Sequence, residues 1–278
     1  MKPFKPVTRL CMGLAALACM ATSCNGQNKS DEPEVVLETT LGEIRVRLYN
    51  DTPLHRDRFL QNVRNGLYDG KTWHRIIRNF MIQTGEQPAR IDANGDTLQI
   101  DTADMIPAEI RYPQHFNRRG VLAAAREGDD VNPEWKSDPT QFYIVTGRTY
   151  QDDALRELYA ARTQQAANRL YRQKALARND ELEALRKARN HQKVSDILER
   201  LLDEAKYETS KNPPQDYTTE QKRIYRTQGG APWLDGEYTV FGEVVEGMKT
   251  VLAIEKVKTD ANDRPMTDVR VIKAYVVE

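Results

Sequence analysis

The sequence predicts a mainly β domain, a barrel or a sandwich, into which one helical segment is inserted. Apolar and polar residues alternate from Ile44 to Leu48, as they do in a strand with one buried face. Residues 151–207 follow a different pattern, because they contain no Gly or Pro and are rich in strong helix formers. The chain has 278 residues, of which 39% are apolar, so it is long enough to bury a core.

The N-terminal segment has the charge and hydropathy profile of a secretory signal. Lys2, Lys5 and Arg9 precede an apolar run from Leu10 to Ala21. A helix of about a dozen residues spans about 18 Å, which is short of the ~30 Å bilayer core. We therefore expect residues 1–23 to be a signal peptide that is removed after export. All three cysteines lie in this N-terminal part, at positions Cys11, Cys19 and Cys24, so disulfides are excluded from the folded body.

The apolar run ends in Ala21-Thr22-Ser23-Cys24, which resembles a bacterial lipobox. The resemblance implies that Cys24 carries lipid and anchors the chain in the cell envelope, at the periplasmic face or the cell surface. Residues 24–34 are then a lipidated cysteine and a polar linker. Ordinary cleavage near Ser23, with Cys24 incidental, is the alternative.

The elements of the β domain follow in order along the chain. A strand at Val35–Thr40 turns at Leu41-Gly42 into the alternating strand. A helix is expected to begin at Asp51-Thr52-Pro53, with a capping side chain and an early Pro, and to stop at Gly66. The remaining predicted elements are strands within 73–83, 120–125, 141–147, 239–245 and 269–277, and a short helix at 248–254.

The helical segment interrupts this pattern between residues 148 and 230. Asn179-Asp180 can break it into two helices, and Pro213-Pro214 and Gly229-Gly230 close it. We expect a helical hairpin inserted into the β domain. The hairpin either packs on the domain or binds a protein partner, and the sequence leaves both open.

Several classes of function find no support in the sequence. Lys and Arg together number 41, as do Asp and Glu, so no basic balance points to nucleic acid. His55, His115 and His191 stand apart rather than at metal-ligand spacing, and there is no Gly-rich phosphate loop or nucleophile elbow. No metal or cofactor is expected.

Four sequence blocks carry a resemblance to a known family. They are Trp73-His74-Arg75-Ile76-Ile77 with Phe80-Met81-Ile82-Gln83; Gly120–Arg126 with Gln141–Thr146; Trp233–Gly242; and Val244–Met248. In this order they resemble the cyclophilins. The resemblance covers residues 35–147 and 231–278, which are therefore expected to be the two parts of one cyclophilin-like domain.

The resemblance implies a closed eight-stranded antiparallel barrel capped by two helices, with the site on its outer face. It also implies a peptidyl-prolyl cis-trans isomerase of EC 5.2.1.8 type, whose catalytic side chain is Arg75. Phe80, Met81, Tyr143 and Leu234 would seat the proline ring, and Gln83 would hold the substrate carbonyl. The backbone of Ala125 and Arg126 would pair with the extended substrate, and the rim would be completed by His74, Gln141, Trp233 and Tyr238.

Two positions depart from the family pattern. Tyr143 stands where Phe is common, so its hydroxyl needs a partner, and Tyr238 stands where many members have His. Arg126 also brings charge beside the site.

We expect a monomer whose substrates are proline-containing segments of exported proteins. The alternatives are a chaperone or partner-binding module that acts through the insertion, with weak or absent isomerase activity, and a membrane-tethering protein with an inactive barrel. The sequence does not identify the client proteins.

Overall fold

The computed structural model describes residues 31–87, 90–91, 97–98 and 104–277. From Glu32 onward the chain forms one compact unit. The predicted signal segment, Cys24 and most of the linker lie outside the described residues. Within the described ranges, no helix combines the length and apolarity needed to cross a bilayer.

Eight strands form one antiparallel sheet in the order β10-β1-β2-β9-β7-β8-β4-β3, and two further short strands, β5 and β6, pair with each other. The predicted strands are confirmed. Their bounds are β1 (Glu34–Thr39), β2 (Gly42–Leu48), β3 (Arg75–Ile77), β4 (Met81–Thr84), β5 (Arg90–Ile91), β6 (Thr97–Leu98), β7 (Val121–Ala124), β8 (Phe142–Val145), β9 (Val240–Glu246) and β10 (Val271–Val276).

The sheet is curled, but the expected closed barrel is not confirmed. Its edge strands β3 and β10 approach each other through one isolated bridge in the described chain, between Thr72 and Arg270. Beside the bridge, Trp73 N donates to Val269 O at 2.9 Å. The three-residue β3 begins only at Arg75, so the segment that faces β10 has already left regular strand geometry.

The helices of the described chain are α1 (Pro53–Arg64), α2 (Asp152–Leu176), α3 (Asn179–Lys187), α4 (His191–Lys211), α5 (Thr219–Thr227) and α6 (Met248–Glu255). The two short helices predicted for the β domain are α1 and α6. Both pack on the inner face of the sheet, where Phe59 and Val63 of α1 and Val251 and Ile254 of α6 join the main core. The main core and the outer-face site are thus on opposite sides of the same strands.

The start of α1 differs from the prediction. Pro53 is at the first helical position, but the Thr52 side chain makes no capping hydrogen bond. The carboxylate of Glu109 replaces it, accepting from Leu54 N at 3.2 Å and from His55 N at 3.0 Å. A carboxylate at a helix N-terminus satisfies unpaired N–H groups and opposes the helix dipole. The predicted cap is wrong because the acceptor comes from a segment far along the chain.

Around Glu109 the structure holds a buried polar cluster. The His55 ring contacts the Glu109 carboxylate at 2.8 Å through Nδ1 and the Ser137 hydroxyl at 2.9 Å through Nε2. All three side chains are buried. Burial lowers the pKa of His55, and the Glu109 carboxylate opposes that shift. The cluster has the sequence of groups found in some hydrolases, but burial makes it structural here.

The inserted segment contains four helices rather than a hairpin. Helix α2 packs along α4, and α3 lies between them in sequence and covers their far end through Leu182, Ile197 and Leu201. The predicted break at Asn179 is confirmed, and a second break follows at Arg189, whose φ is 56°, before Asn190 caps α4. Helix α5 then returns the chain to the sheet, beginning with a capping box between Thr218 and Gln221.

Candidate active site

The segment predicted to carry the chemistry folds as a hairpin. β3 and β4 pair so that Arg75 faces Gln83 and Ile77 faces Met81, across a turn in which Asn79 has φ 59°. Cross-strand partners point to the same side of a sheet. Arg75, Met81 and Gln83 therefore share the outer face as predicted, but through strand pairing rather than through alternation along one strand.

On this outer face lies a cavity of about 130 Å³. Residues from β3, β4, β8 and the loops that follow β7 and precede β9 meet there. The seat of the cavity is apolar, because Met81 is 1% exposed, Tyr143 4% and Leu234 9%. Nine of the predicted site residues line it, namely Arg75, Phe80, Met81, Gln83, Ala125, Arg126, Tyr143, Leu234 and Tyr238.

Arg75 stands at the edge of this cavity with 45% of its side chain exposed. Its Nη1 lies 3.5 Å from Gln83 Oε1, and its Nε lies 3.8 Å from Asp263 Oδ2. Both contacts are long, so the guanidinium is oriented but retains N–H groups that can donate to a ligand. Asp263 belongs to a loop that is fixed to β3 by a bond from Ile76 N to Asp263 O.

Gln83 is itself held by a short hydrogen-bonded series. Its Nε2 donates to Gln141 Oε1 at 2.9 Å, and Gln141 Nε2 donates to Asp138 Oδ2 at 2.9 Å. With the amide nitrogen engaged, the carbonyl oxygen of Gln83 is directed toward Arg75. The series sets which end of the Gln83 amide faces the cavity.

Three predicted rim residues do not line the cavity. His74 is buried, and burial lowers its pKa; as the neighbour of Arg75 it does not share the outer face. Gln141 acts behind Gln83, as described. Trp233 packs against Phe80, with ring centroids 5.2 Å apart, and so supports the cavity wall from outside.

The backbone of Ala125 is already engaged, which limits its predicted role. Its N–H donates to Gln141 O at 3.0 Å, and its carbonyl accepts from Asp138 N at 2.8 Å. A substrate chain can therefore use only the second lone pair of the Ala125 carbonyl.

The hydroxyl of Tyr143 has the partner that its burial requires. It donates to Asn117 Oδ1 at 3.4 Å, and Asn117 in turn donates to Asp235 Oδ1 from both its backbone N and its Nδ2. Tyr225 on α5 donates to Asp235 Oδ2 at 2.7 Å. Complete burial raises the pKa of Asp235 to about 6, against these hydrogen bonds. The network ties the inserted helices to the residue next to Leu234.

Arg126 is buried and paired rather than exposed beside the cavity. Its guanidinium carbon lies 4.5 Å from the Tyr238 ring centre, and its Nη1 is 3.0 Å from Asp129 Oδ1. Its Nε donates to Glu237 O at 3.0 Å. The charge expected from the sequence is therefore neutralised within the wall.

Sequence reasoning missed three residues that shape the site: Asp263, Asn117 and Asp235. Each reaches its partner across a long stretch of chain, and no local pattern marks such a contact. Asp235 lies inside a quoted motif, and its position beside Leu234 was the one available signal. In the described ranges, no three His, Cys, Asp or Glu side chains are grouped so as to hold a metal ion.

Comparison with known proteins identifies the family. The model of the cyclophilin type peptidyl-prolyl cis-trans isomerases matches residues 34–161 and 205–276, which is more than half of the chain. The unmatched part, residues 162–204, falls within the inserted helices.

Curated relatives and a solved structure agree with this match. A putative peptidyl-prolyl cis-trans isomerase of Staphylococcus epidermidis is 26% identical over 255 residues, covering 91% of this chain and 96% of that protein. Peptidyl-prolyl cis-trans isomerase CYP71 of Arabidopsis thaliana is 26% identical over 98% of this chain, which spans only 28% of that longer protein. The crystal structure of a cyclophilin type isomerase from Cryptosporidium parvum has a TM-score of 0.50 at 16% identity, covering 89% of this chain and 98% of that one. The chain therefore belongs to the cyclophilin-type peptidyl-prolyl cis-trans isomerase family.

Proposed function

We propose that this chain accelerates X-Pro isomerisation by hydrogen bonding from Arg75 to the prolyl nitrogen of the twisted transition state. The observation that carries the proposal is the half-exposed Arg75 guanidinium at the edge of a buried apolar cavity of proline-ring dimensions.

The uncatalysed reaction is slow because amide resonance must be broken. The barrier is ~20 kcal/mol, and rotation takes tens of seconds or longer. In the twisted amide the prolyl nitrogen regains its lone pair and becomes a better acceptor. A fixed donor therefore binds the twisted form more strongly than the planar form, which lowers the barrier without a nucleophile or proton transfer.

The geometry of the site fits each part of this mechanism. The apolar seat of Met81, Tyr143 and Leu234 can hold the ring while the chain on one side of it rotates. Gln83 Oε1 faces Arg75, and its orientation is set by Gln141. A guanidinium is always charged and planar, so it remains a donor at any physiological pH.

A proline-limited refolding assay tests the proposal. We expect Arg75→Ala to lower the acceleration per molecule by about 100-fold, the typical effect of removing one transition-state donor. Arg78→Ala is the matched control, since Arg78 is an exposed arginine in the turn of the same hairpin and should leave the acceleration unchanged. Equal rates for the wild-type chain and Arg75→Ala would refute the mechanism.

We also propose that the substrates are exported or envelope proteins, because residues 1–24 have the pattern of a signal peptide followed by a lipobox. Lipid on Cys24 would keep the domain at a membrane surface, with residues 25–34 as a tether. Metabolic labelling with a radioactive fatty acid tests this directly. Label that persists in Cys24→Ser, or is absent from the wild-type chain, would contradict the anchor.

A further inference from the structure

A second, larger cavity of about 470 Å³ lies between helix α2 of the insertion and the loop 127–137. We call it the α2 groove. Its apolar lining is formed by Pro133 and Trp135 of the loop and by Ala166, Leu170 and Leu176 of α2. Leu176 is 74% exposed, although it is a large apolar side chain. An apolar groove with such exposure is typical of a surface that binds something.

The charged residues at the rim of the α2 groove are neutralised by one another. Arg172 Nη1 lies 2.6 Å from Asp130 Oδ1, and Arg169 Nη1 lies 3.7 Å from Asp129 Oδ2. Asp129 also pairs with Arg126. Because these charges have internal partners, the groove offers no net charge to an occupant. Its chemistry therefore favours an uncharged apolar side chain.

The α2 groove is continuous with the proline cavity through a column of stacked side chains. The Arg126 guanidinium carbon lies 4.5 Å from the Tyr238 ring centre and 5.3 Å from the Trp135 ring centre. Arg169 of α2 covers Trp135 at 5.0 Å and pairs with Glu237, the residue before Tyr238. Tyr238 and Arg126 line the proline cavity, and Trp135 and Arg169 line the groove.

The separation of the two cavities matches a short piece of extended chain. Tyr238 and Trp135 contact the same guanidinium, so their ring centres lie within about 10 Å, the length of about three extended residues. A polypeptide with its proline in the cavity can therefore place a nearby side chain in the groove.

We propose that the α2 groove binds an apolar side chain two to four residues from the isomerised proline, on the same polypeptide. This proposal rests on the proposed isomerase function and adds a sequence preference to it. The inserted helix α2 then serves as one wall of an extended substrate site.

The test compares peptides in an isomerase assay with the full chain. Each peptide carries one proline and either Leu or Ala at the second, third or fourth residue on either side. We expect one Leu position to raise kcat/KM about fivefold over Ala, through partial burial of the side chain. No preference at any position would overturn the groove proposal and leave the isomerase function intact.

Two variants of opposite character locate the preference in the groove. Leu176→Asp makes the lining polar, and Ala166→Leu fills it. Both should bring the Leu and Ala peptides within twofold of each other, while kcat/KM for the Ala peptide stays at the wild-type value. Leu41→Asp is the control, since Leu41 is an exposed leucine in the turn between β1 and β2. A preference that survives both groove variants would overturn the proposal.

Binding is measured separately so that the two proposals can fail separately. The indole N–H resonance of Trp135 should shift saturably with the Leu peptide, and Ala166→Leu should abolish the shift. If no peptide is isomerised, the isomerase proposal fails, and the groove proposal then fails too unless this shift is seen. An indole shift that depends on protein concentration without peptide would assign the groove to a second copy of the chain and overturn the proposal.

Discussion

Arg75 and Gln83 work as a pair whose geometry depends on residues behind the cavity. The hydrogen bonds from Gln83 to Gln141 and from Gln141 to Asp138 fix the Gln83 amide, and the amide oxygen faces the guanidinium. A rotation of that amide would present its NH₂ group to Arg75 and repel it. The orientation of the proposed donor is thus set two residues away from the substrate.

Gln141→Ala should therefore slow catalysis without weakening substrate binding much. We expect kcat to fall about fivefold, the equivalent of one net hydrogen bond, with KM within twofold. Steady-state kinetics on a proline peptide measure both. Gln87→Ala, at an exposed glutamine near the same site, should change neither constant. An unchanged kcat in Gln141→Ala would show that Gln83 needs no support.

At the residue scale the sequence predicted most of the lining and little of its support. The apolar and guanidinium groups lie in compact motifs, which single out positions such as Phe80 and Leu234. Asp263 and Asn117 lie in segments without a motif and reach the site only after folding. His74 was assigned to the rim from its motif, and strand alternation places it on the other side of its neighbour.

The elements were predicted well where one local rule decides them. Alternation located β2, and the Gly- and Pro-free composition located the helices of the insertion. Prediction failed where a distant residue decides. The cap of α1 is the clearest example, since Glu109 rather than Thr52 satisfies its first N–H groups.

Glu109→Ala should destabilise the domain more than an ordinary surface change. It removes the acceptor for two N–H groups at the start of α1 and the partner of the His55 ring. We expect the free energy of unfolding to fall by about 2–4 kcal/mol. Urea denaturation followed by circular dichroism measures it, with Glu127→Ala, an exposed glutamate, as control. Equal midpoints for the two variants would contradict the assigned cap.

The insertion is joined to the site at the level of elements. Tyr150 packs on Trp233, with ring centroids 6.3 Å apart, and Tyr225 of α5 binds Asp235. Complete removal of residues 151–208 would therefore disturb the cavity as well as any partner surface. Point changes within the α2 groove separate a role in catalysis from a chaperone role more cleanly.

In the whole molecule, the proposed active site lies where the curled sheet meets the inserted helices. The inner core holds α1 and α6, while a second cluster on the outer face includes Met81, Tyr143 and Leu234. The fold is shared with the Cryptosporidium parvum isomerase at 16% identity. The overall topology followed from the resemblance, whereas the incomplete joining of β3 and β10 depends on backbone pairing that the sequence pattern does not report.

Burial of Asp235 should make global stability depend on pH. Its pKa is raised to about 6 from an ordinary 3.8, so the folded state holds the proton more tightly than the unfolded state. The resulting stabilisation is fully present below pH 3.8 and is lost as pH rises through about 6. The loss amounts to about 3 kcal/mol, since each pKa unit corresponds to ~1.4 kcal/mol.

Asp235→Asn isolates this effect because the amide does not titrate. The free energy of unfolding of the wild-type chain minus that of Asp235→Asn should fall by about 3 kcal/mol between pH 4 and pH 7 in urea titrations. Other groups, including His55, cancel in this difference. Asp180→Asn, at an exposed site in α3, should give a flat difference. A flat difference for Asp235→Asn as well would refute the raised pKa.

Two-dimensional exchange NMR on a proline peptide, with substoichiometric protein, tests the central claim most directly because it observes rotation and binding in one sample. The wild-type chain should produce cross-peaks between the cis and trans forms within a mixing time of about a second, where the free peptide shows none. Arg75→Ala should lose these cross-peaks yet still shift the peptide's proline resonances, since the apolar seat remains. Cross-peaks of wild-type intensity in Arg75→Ala would contradict the role of the guanidinium.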